Sequence, residues 1–124
     1  MALASSFAEN NALDGLDNHA GLANVIPDVS LHTATPGTTG ASENANSGSY
    51  ARQACTWNAA SAGAKTNSTA LTFSTLGTVA VTHIGTWSSA TYGAGNYAIG
   101  AALGSSVTSA SITVASGAIS FSAT

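Results

Sequence analysis

Residues 79–87 read VAVTHIGTW, and this stretch decides the fold class. Val79, Val81 and His83 fall on one side of an extended chain, because successive side chains of a β-strand point to opposite faces. After a turn rich in glycine, residues 97–103 (YAIGAAL) resume an apolar, strand-like run. The two runs predict a pair of strands joined by a turn.

Similar short runs lie on both sides of this pair and are separated by Gly, Ser and Asn turns. The predicted strands are residues 29–33, 50–57, 70–74, 79–87 and 97–103, followed by short elements at Val107, 112–114 and 119–121. Residues 36–48 and 59–67 do not alternate, so we interpret them as a loop and a connection. This pattern predicts an all-β fold, an antiparallel β-sandwich of jelly-roll or immunoglobulin-like type, over residues 25–124.

The first residues have the pattern of a helix instead. Ser6 and Glu9 have the spacing of a capping box. Four apolar residues recur at spacings that can place them on one face of a helix, namely Leu3, Phe7, Leu13 and Leu16. We therefore expect a short α-helix from Ser6 to about Asp17, within a helical arm formed by residues 1–24. The helical arm and the sandwich are expected to form a single domain, residues 1–124, because a chain of 124 residues is too short for a second core.

Charged residues are scarce and unevenly placed. Only 6% of the chain is Asp, Glu, Lys or Arg, against about a quarter in an ordinary soluble domain. No such residue follows Lys65. The net charge of -3 argues against nucleic acid and against an anionic membrane surface, which both require clustered cations. We expect a surface suited to packing against other protein copies.

The N-terminus lacks the basic start and long apolar run of a secretory signal, so it is interpreted as mature cytosolic sequence. The most apolar piece, residues 97–103, is far shorter than the ~20 residues of a membrane-spanning helix. We expect no membrane association.

The residues that could support catalysis or hold a metal are scattered. The good soft-metal ligands are His19, His32, Cys55 and His83, and their spacing matches no zinc motif. No serine lies in a Gly-x-Ser-x-Gly elbow. Asp14 and Asp17 are interpreted as a solvated helix face, and Glu43 is placed in a mobile loop. We expect no enzyme activity, no catalytic residues, no metal and no cofactor.

Single residues among these have structural interpretations. Cys55 is expected to be a buried, inert hydrophobe, and His83 a half-buried hydrogen-bonding residue. A small hydrolase would depend on one of the three histidines, and we expect replacement of each to leave any such activity unchanged.

Large aromatic and apolar side chains are the candidates for contacts with partners. The interface candidates are Phe7, Leu13, Leu16, Tyr50, Trp57, Trp87, Tyr92 and Tyr97. Trp57 and Trp87 lie at strand ends, where a large aromatic either anchors the core or fills a partner's pocket. Core packing is the commoner of the two roles.

Several segments, taken in order, resemble small virion structural proteins of tailed bacteriophages. The resemblance is carried by SGSYARQACTWNAA at 47–60, TNSTALTF at 66–73, VTHIGTW at 81–87, the strand at 97–103 and SGAISFS at 116–122. That family is loosely labelled head decoration, minor tail or tail fibre protein. The resemblance implies a non-enzymatic, β-rich protein present in several copies per virion.

Two functions follow from the resemblance and the composition. The first is a capsid decoration or cement protein that binds the major capsid protein and stabilises the assembled shell, with the charged N-terminal third facing solvent or a capsid loop. The alternative is a tail-tip or tail-fibre host-binding module that uses loops 37–48 and 88–96. In both cases we expect a homo-oligomer in the virion, assembled in the host bacterial cytoplasm, with capsid or tail proteins of the same virion as partners.

Overall fold

The alternating segments fold into antiparallel β-strands, which confirms the all-β sandwich prediction. The computed structural model describes residues 10, 12–17, 24–44, 50–74 and 79–123. Within those ranges the strands are β1 Asp28–His32, β2 Gln53–Ala54, β3 Ala64–Thr66, β4 Leu71–Ser74, β5 Val81–Trp87, β6 Tyr97–Val107, β7 Ser111–Val114 and β8 Ser120–Ser122.

The main sheet has the strand order β2-β1-β5-β6. Its central strand β1 is buried at all five residues, because both of its faces are covered. Val29 and Leu31 enter the apolar core, whereas Ser30 and His32 point to the opposite face. The register pairs His32 with His83 on β5, so the buried polar face of β1 continues across the sheet.

Two shorter strand pairs, β3–β8 and β4–β7, complete the sandwich. Phe73 of β4 is fully buried and its ring stacks on that of Tyr50 at 6.3 Å. Phe121 of β8 contacts the indole of Trp57 at 5.1 Å, and Trp57 Nε1 donates a hydrogen bond to the Ile26 carbonyl. These aromatic side chains join the second layer to the core residues of β1 and β5.

Three elements differ from the sequence prediction. The strand predicted over 50–57 is regular only at Gln53–Ala54, where two residues pair with Val29 and Asp28 of β1. The connection predicted over 59–67 was wrong at Ala64–Thr66, which pairs with β8 as β3. Strand β6 continues beyond the predicted end at residue 103 to Val107.

The predicted helix from Ser6 to about Asp17 is observed at Asn10 and at residues 12–14. Residues 15–17 form a turn and a bend, and the other residues of the predicted helix lie outside the described part. Leu13 is 5% exposed and belongs to the core. The described part of the predicted arm is therefore docked on the sandwich. No helix in the described ranges has the length and apolarity needed to cross a membrane.

Candidate functional site

A buried arginine joins two loops that lie at one end of the main sheet. Arg52 Nε and Nη2 donate to the two carboxylate oxygens of Glu43, at 2.8 and 2.7 Å. Its Nη1 donates to the carbonyl oxygens of Ser89 and Ala94, at 2.8 and 2.9 Å. One side chain thus fixes the 33–44 loop and the 88–96 loop to each other, with the two-pronged geometry that makes guanidinium–carboxylate pairs strong.

Trp87, the last residue of β5, forms the floor under this arginine. The guanidinium carbon of Arg52 lies 3.8 Å from the centroid of the Trp87 ring, which is cation–π geometry. Trp87 Nε1 donates to Ser30 Oγ at 2.9 Å, and its ring meets that of Tyr97 edge-on at 5.5 Å. The floor is therefore rigid, because each of its polar atoms has a partner.

Gly40 brings the 33–44 loop onto this floor. Its φ of +73° is unfavourable for residues with a side chain, and a Cβ there would collide with the Trp87 indole. Glycine at this position is required by both conformation and space.

His32 and Tyr50 connect the floor to β1. His32 Nδ1 lies 2.8 Å from the Ala41 carbonyl and Nε2 lies 2.7 Å from Ser30 Oγ. Because a carbonyl only accepts, Nδ1 carries the proton and Nε2 accepts from the Ser30 hydroxyl. Burial lowers the pKa of His32 and favours this neutral form.

The Tyr50 hydroxyl accepts from the Leu31 amide and donates to Glu43 Oε1. Burial raises its pKa far above the usual value, so the phenol remains protonated and able to donate to that carboxylate.

The outer surface of the two loops is neutral. Tyr92 is 52% exposed at the tip of the 88–96 loop, and the neighbouring exposed residues are Ala, Thr, Gly and Asn. Hydrogen bonds from the Ala94 amide to the Thr91 carbonyl and from the Ser88 amide to the Asn96 carbonyl close the turn behind the ring. This surface can stack on a ligand through an aromatic ring and hydrogen-bond to it through hydroxyl and amide groups.

A second buried ion cluster lies at the N-terminal segment. Lys65 is fully buried, and its Nζ lies 2.8 Å from Asp14 Oδ1 and 3.2 Å from Asp17 Oδ2. Lys65 also donates to the carbonyl of Asn58. The interpretation of Asp14 and Asp17 as a solvated helix face was wrong, because Asp17 is 2% exposed and both carboxylates lie within ion-pair distance of the buried Lys65.

The charged residues point inward throughout the described part of the chain. Glu43 is 6% exposed rather than free in a mobile loop, and Asp28 is 6% exposed as well. The most exposed of the ionised side chains is that of Asp14, at 20%. The first alternative for the charged N-terminal third, that it faces solvent, does not describe these carboxylates, because Asp17 and Asp28 are buried and Asp14 is only 20% exposed. The second alternative, contact with a capsid loop, stays a prediction. Glu9 lies outside the described residues.

The described residues among the predicted interface residues divide into three groups by exposure. Leu13, Tyr50, Trp57 and Trp87 are buried within the protomer, and Leu16 and Tyr97 are partly buried. Tyr92 alone among those described is exposed, and Phe7 lies outside the described residues. The assignment of these residues to an interface stays a prediction.

The residues considered for metal and redox chemistry are placed apart. No group of three or more His, Cys, Asp or Glu that could hold a metal ion occurs among the residues described. Cys55 is buried, as predicted, and burial raises its pKa to about 12, which disfavours the reactive thiolate. His83 is half-buried beside the Thr82 hydroxyl, as predicted, and His19 lies outside the described residues.

Sequence reasoning missed the residues that hold the loops together, Arg52 and Glu43. One signal was available: the chain has two cations and five acids. Arg52 also shares a predicted strand face with Tyr50, a residue of the core type. A cation that is so scarce and lies beside a core aromatic favours a buried pair over solvation.

Comparison with known proteins gives the family. Residues 4–122 match the family described as "Podophage GP4 fiber I protein gp80". No match to the chain was found among curated proteins. The match confirms the resemblance to tailed-phage virion proteins. The chain therefore belongs to the podophage GP4 fiber I protein gp80 family and is a phage virion structural protein of the tail-fibre kind.

Proposed function

We propose that this chain is a tail-fibre subunit whose 33–44 and 88–96 loops contact a glycan on the host cell surface. The fibre family favours this alternative over capsid decoration. In this proposal the chain is not an enzyme, and its partners in the virion are tail proteins.

The observation that carries the proposal is the arginine that holds the two loops. Arg52 bonds to Glu43 on one loop and to the Ser89 and Ala94 carbonyls on the other. Loops fixed before binding lose little conformational entropy when a ligand arrives, and this raises affinity.

The chemistry of the exposed surface supports a neutral saccharide. Tyr92 offers an apolar ring face with one hydroxyl, and it loses little rotamer freedom on binding. No formally charged side chain is exposed among the described residues of either loop. A neutral sugar presents C–H faces and hydroxyls, which match a ring flanked by exposed Thr and Asn.

Binding of the purified, labelled protein to cells of the host strain tests the proposal. We expect Tyr92→Ala to weaken binding by about tenfold or more, as for an aromatic anchor at a binding surface. Tyr92→Phe is expected to retain most of the affinity because the ring face remains.

Val79→Ala is the matched control. Val79 is also an exposed apolar residue, at 37%, but it precedes the opposite end of β5. Equal binding by Tyr92→Ala and the parent protein would overturn the proposed site. Copy number tests the location: a handful of copies per particle supports a tail part, and hundreds would support decoration.

A further inference from the structure

Lys65 is the only lysine of this protein, and a lysine nitrogen can act as a nucleophile. The other cationic side chain, Arg52, has a delocalised guanidinium that keeps its proton, so its nitrogens do not attack carbonyl carbons. A lysine that has passed a proton to a neighbour has an electron pair available for a covalent bond. The groups closest to the Lys65 nitrogen are two carboxylates, whose carbons accept such a pair once an oxygen can leave.

The Lys65 nitrogen is held directly against one of these carboxylates. Nζ lies 2.8 Å from Asp14 Oδ1, so it is one bond beyond hydrogen-bond contact from the Asp14 carbonyl carbon, Cγ. The carbonyl of Asn58 accepts a second hydrogen bond from Nζ at 2.9 Å and fixes its position. Groups held together in this way react as if at about 10⁵–10⁸ M, which offsets the disadvantage of forming an amide in water.

A main-chain amide is placed to stabilise the addition step. The Ala60 amide donates to Asp14 Oδ1 at 2.7 Å. When a nucleophile adds to Cγ, negative charge develops on this oxygen, and an N–H donor fixed beforehand lowers the energy of that state. Oδ1 is thus suited to remain as the amide oxygen, and Oδ2 is the oxygen that departs. The Asp14 side chain is 20% exposed, which gives the departing oxygen a way to solvent.

The surroundings of Lys65 are apolar and closed. Its side chain is 0% exposed, and that of Asp17 is 3% exposed. Lys65 pairs with Phe121 across β3 and β8, so the two side chains share a face, and the Phe121 ring contacts the Trp57 indole at 5.1 Å. Separated charges are costly in such a place. A reaction that converts an ammonium and a carboxylate into a neutral amide is therefore favoured by this environment.

We propose that Lys65 and Asp14 condense to form an intramolecular isopeptide bond, with Asp17 as the proton relay. Asp17 Oδ2, 3.2 Å from Nζ, takes a proton from the ammonium, and the freed electron pair forms the bond from Nζ to Asp14 Cγ. Asp17 passes this proton, and then a second one from the nitrogen, to Asp14 Oδ2. The Cγ–Oδ2 bond breaks, its electron pair leaves with the oxygen, and one water is released. The ammonium and the carboxylate thus give an amide and water, and no other reactant is required.

The bond fastens the N-terminal segment to the sandwich covalently. It joins β3 to a residue 51 positions earlier in the chain, and the ion pair is the arrangement from which it forms. A cross-link of this span removes freedom from the unfolded chain, as a disulfide does, but a reducing agent does not break it.

The mass of the purified full-length chain after unfolding is the first test. We expect the parent to be lighter than its sequence by about 18 Da, the mass of one water. Lys65→Arg keeps a cation but has no suitable nucleophile, and it is expected to have its full sequence mass. A parent with its full sequence mass would overturn the proposal.

Trypsin digestion of the unfolded chain locates the bond. The enzyme cleaves after arginine and after lysine with a free amine, and the chain offers only Arg52 and Lys65. The parent is expected to yield residues 1–52 joined to residues 53–124 in one branched product, since an acylated Lys65 is not cleaved. Separate peptides 1–52, 53–65 and 66–124 from the parent would exclude the bond. Both measurements on the parent need no variant, so they decide the proposal even if Lys65→Arg does not fold.

The role of Asp17 is tested by two substitutions. Asp17→Asn keeps the size of the side chain but cannot take up a proton, and we expect less than about a tenth of the purified chains to contain the bond, because proton transfer contributes roughly 10²–10⁴-fold to rate. Asp17→Glu keeps a carboxylate and is expected to restore bond formation. Complete bond formation in a folded Asp17→Asn variant would exclude the relay. None of these measurements involves host cells, so their outcome is independent of the host-contact proposal.

Discussion

The part of the chain up to Lys65 and the part after it are stabilised by different interactions. In the first part, buried ion pairs at Arg52 and Lys65 hold loops and the N-terminal segment in place. The second part has no charged residues, and strand pairing and apolar contacts hold its segments in place. The difference teaches that, over the residues the structure describes, this protein uses charge to fix its internal geometry and leaves its exterior nearly neutral.

The largest effect is expected from removing the cation of the N-terminal cluster. Lys65→Met leaves Asp14 and Asp17 beside an apolar side chain, and we expect a loss of about 3–5 kcal/mol in the free energy of unfolding, measured with urea. The matched variant Lys65→Met with Asp14→Asn and Asp17→Asn also removes the two carboxylate charges that faced Lys65, and it is expected to recover part of that loss. A urea midpoint for Lys65→Met equal to that of the parent would show that the ion pairs do not stabilise the part of the chain up to Lys65.

A glycine at the joint between the two loops is expected to matter nearly as much. Gly40→Ala meets both a positive φ and the Trp87 ring, and it should cost about 2–4 kcal/mol. Gly37→Ala is the control, because Gly37 also has a positive φ but open space around it, so about 1–2 kcal/mol is expected. Equal losses in thermal unfolding would show that contact with Trp87 is unimportant.

Replacing the arginine by lysine tests whether the two-pronged pair is required. Arg52→Lys keeps the charge but cannot bond to Glu43 with two nitrogens and to the Ser89 and Ala94 carbonyls at once. We expect a loss of about 2 kcal/mol, with faster amide exchange confined to the 33–44 and 88–96 loops. Uniform exchange across the strands of the second part would contradict a local role.

The smallest effect concerns pH and the buried histidine. The folded-state pKa of His32 is below its ordinary value of 6.5, so the unfolded chain binds the proton more readily and stability falls as pH drops below about 6.5. Burial lowers this pKa most strongly, the hydrogen bond to the Ala41 carbonyl and the charge of Glu43 raise it, and Arg52 and His83 lower it. We expect a loss of about 1 kcal/mol between pH 7 and pH 5, measured by urea unfolding.

Two variants separate His32 from its neighbours. His32→Gln is expected to abolish the change in the free energy of unfolding between pH 7 and pH 5. His83→Gln, at the half-buried residue that pairs with His32, should retain that change. Burial raises the pKa of Asp28 above 3.8, which has the opposite sign because the folded state then binds that proton more readily. A slope that survives in His32→Gln would assign the pH dependence to another group.

The sequence was informative where structure is local. Alternation with a period of two identified β1, β4, β5, β6 and most of the remaining strands, because each residue's face depends only on its neighbours. It failed at β3, since Ala64–Thr66 is too short to alternate visibly and is fixed by pairing with β8. It also gave no strand order, which depends on contacts between distant segments.

The buried charges were beyond local reasoning for a similar reason. Lys65 reaches an aspartate 51 positions earlier, and Arg52 bonds to carbonyls 37 and 42 positions later. Main-chain carbonyls have no sequence signature, so the second half of the arginine's environment could not be read from residue types. Tyr92 was found as a candidate because exposure of an aromatic in a Gly-rich turn depends mainly on local composition.

The inward placement of the charges also sets how salt acts on this protein. Dissolved ions screen charges that face water, with a range of about 10 Å at 0.1 M, and have far less effect on pairs that are buried. Since the described surface offers them little to screen, the fold and its contacts should change little between dilute and saline water. Association with a partner then proceeds without long-range steering, at the roughly 10⁵–10⁶ M⁻¹s⁻¹ of neutral partners. The association rate of such a surface depends on collision frequency and changes little with ionic strength.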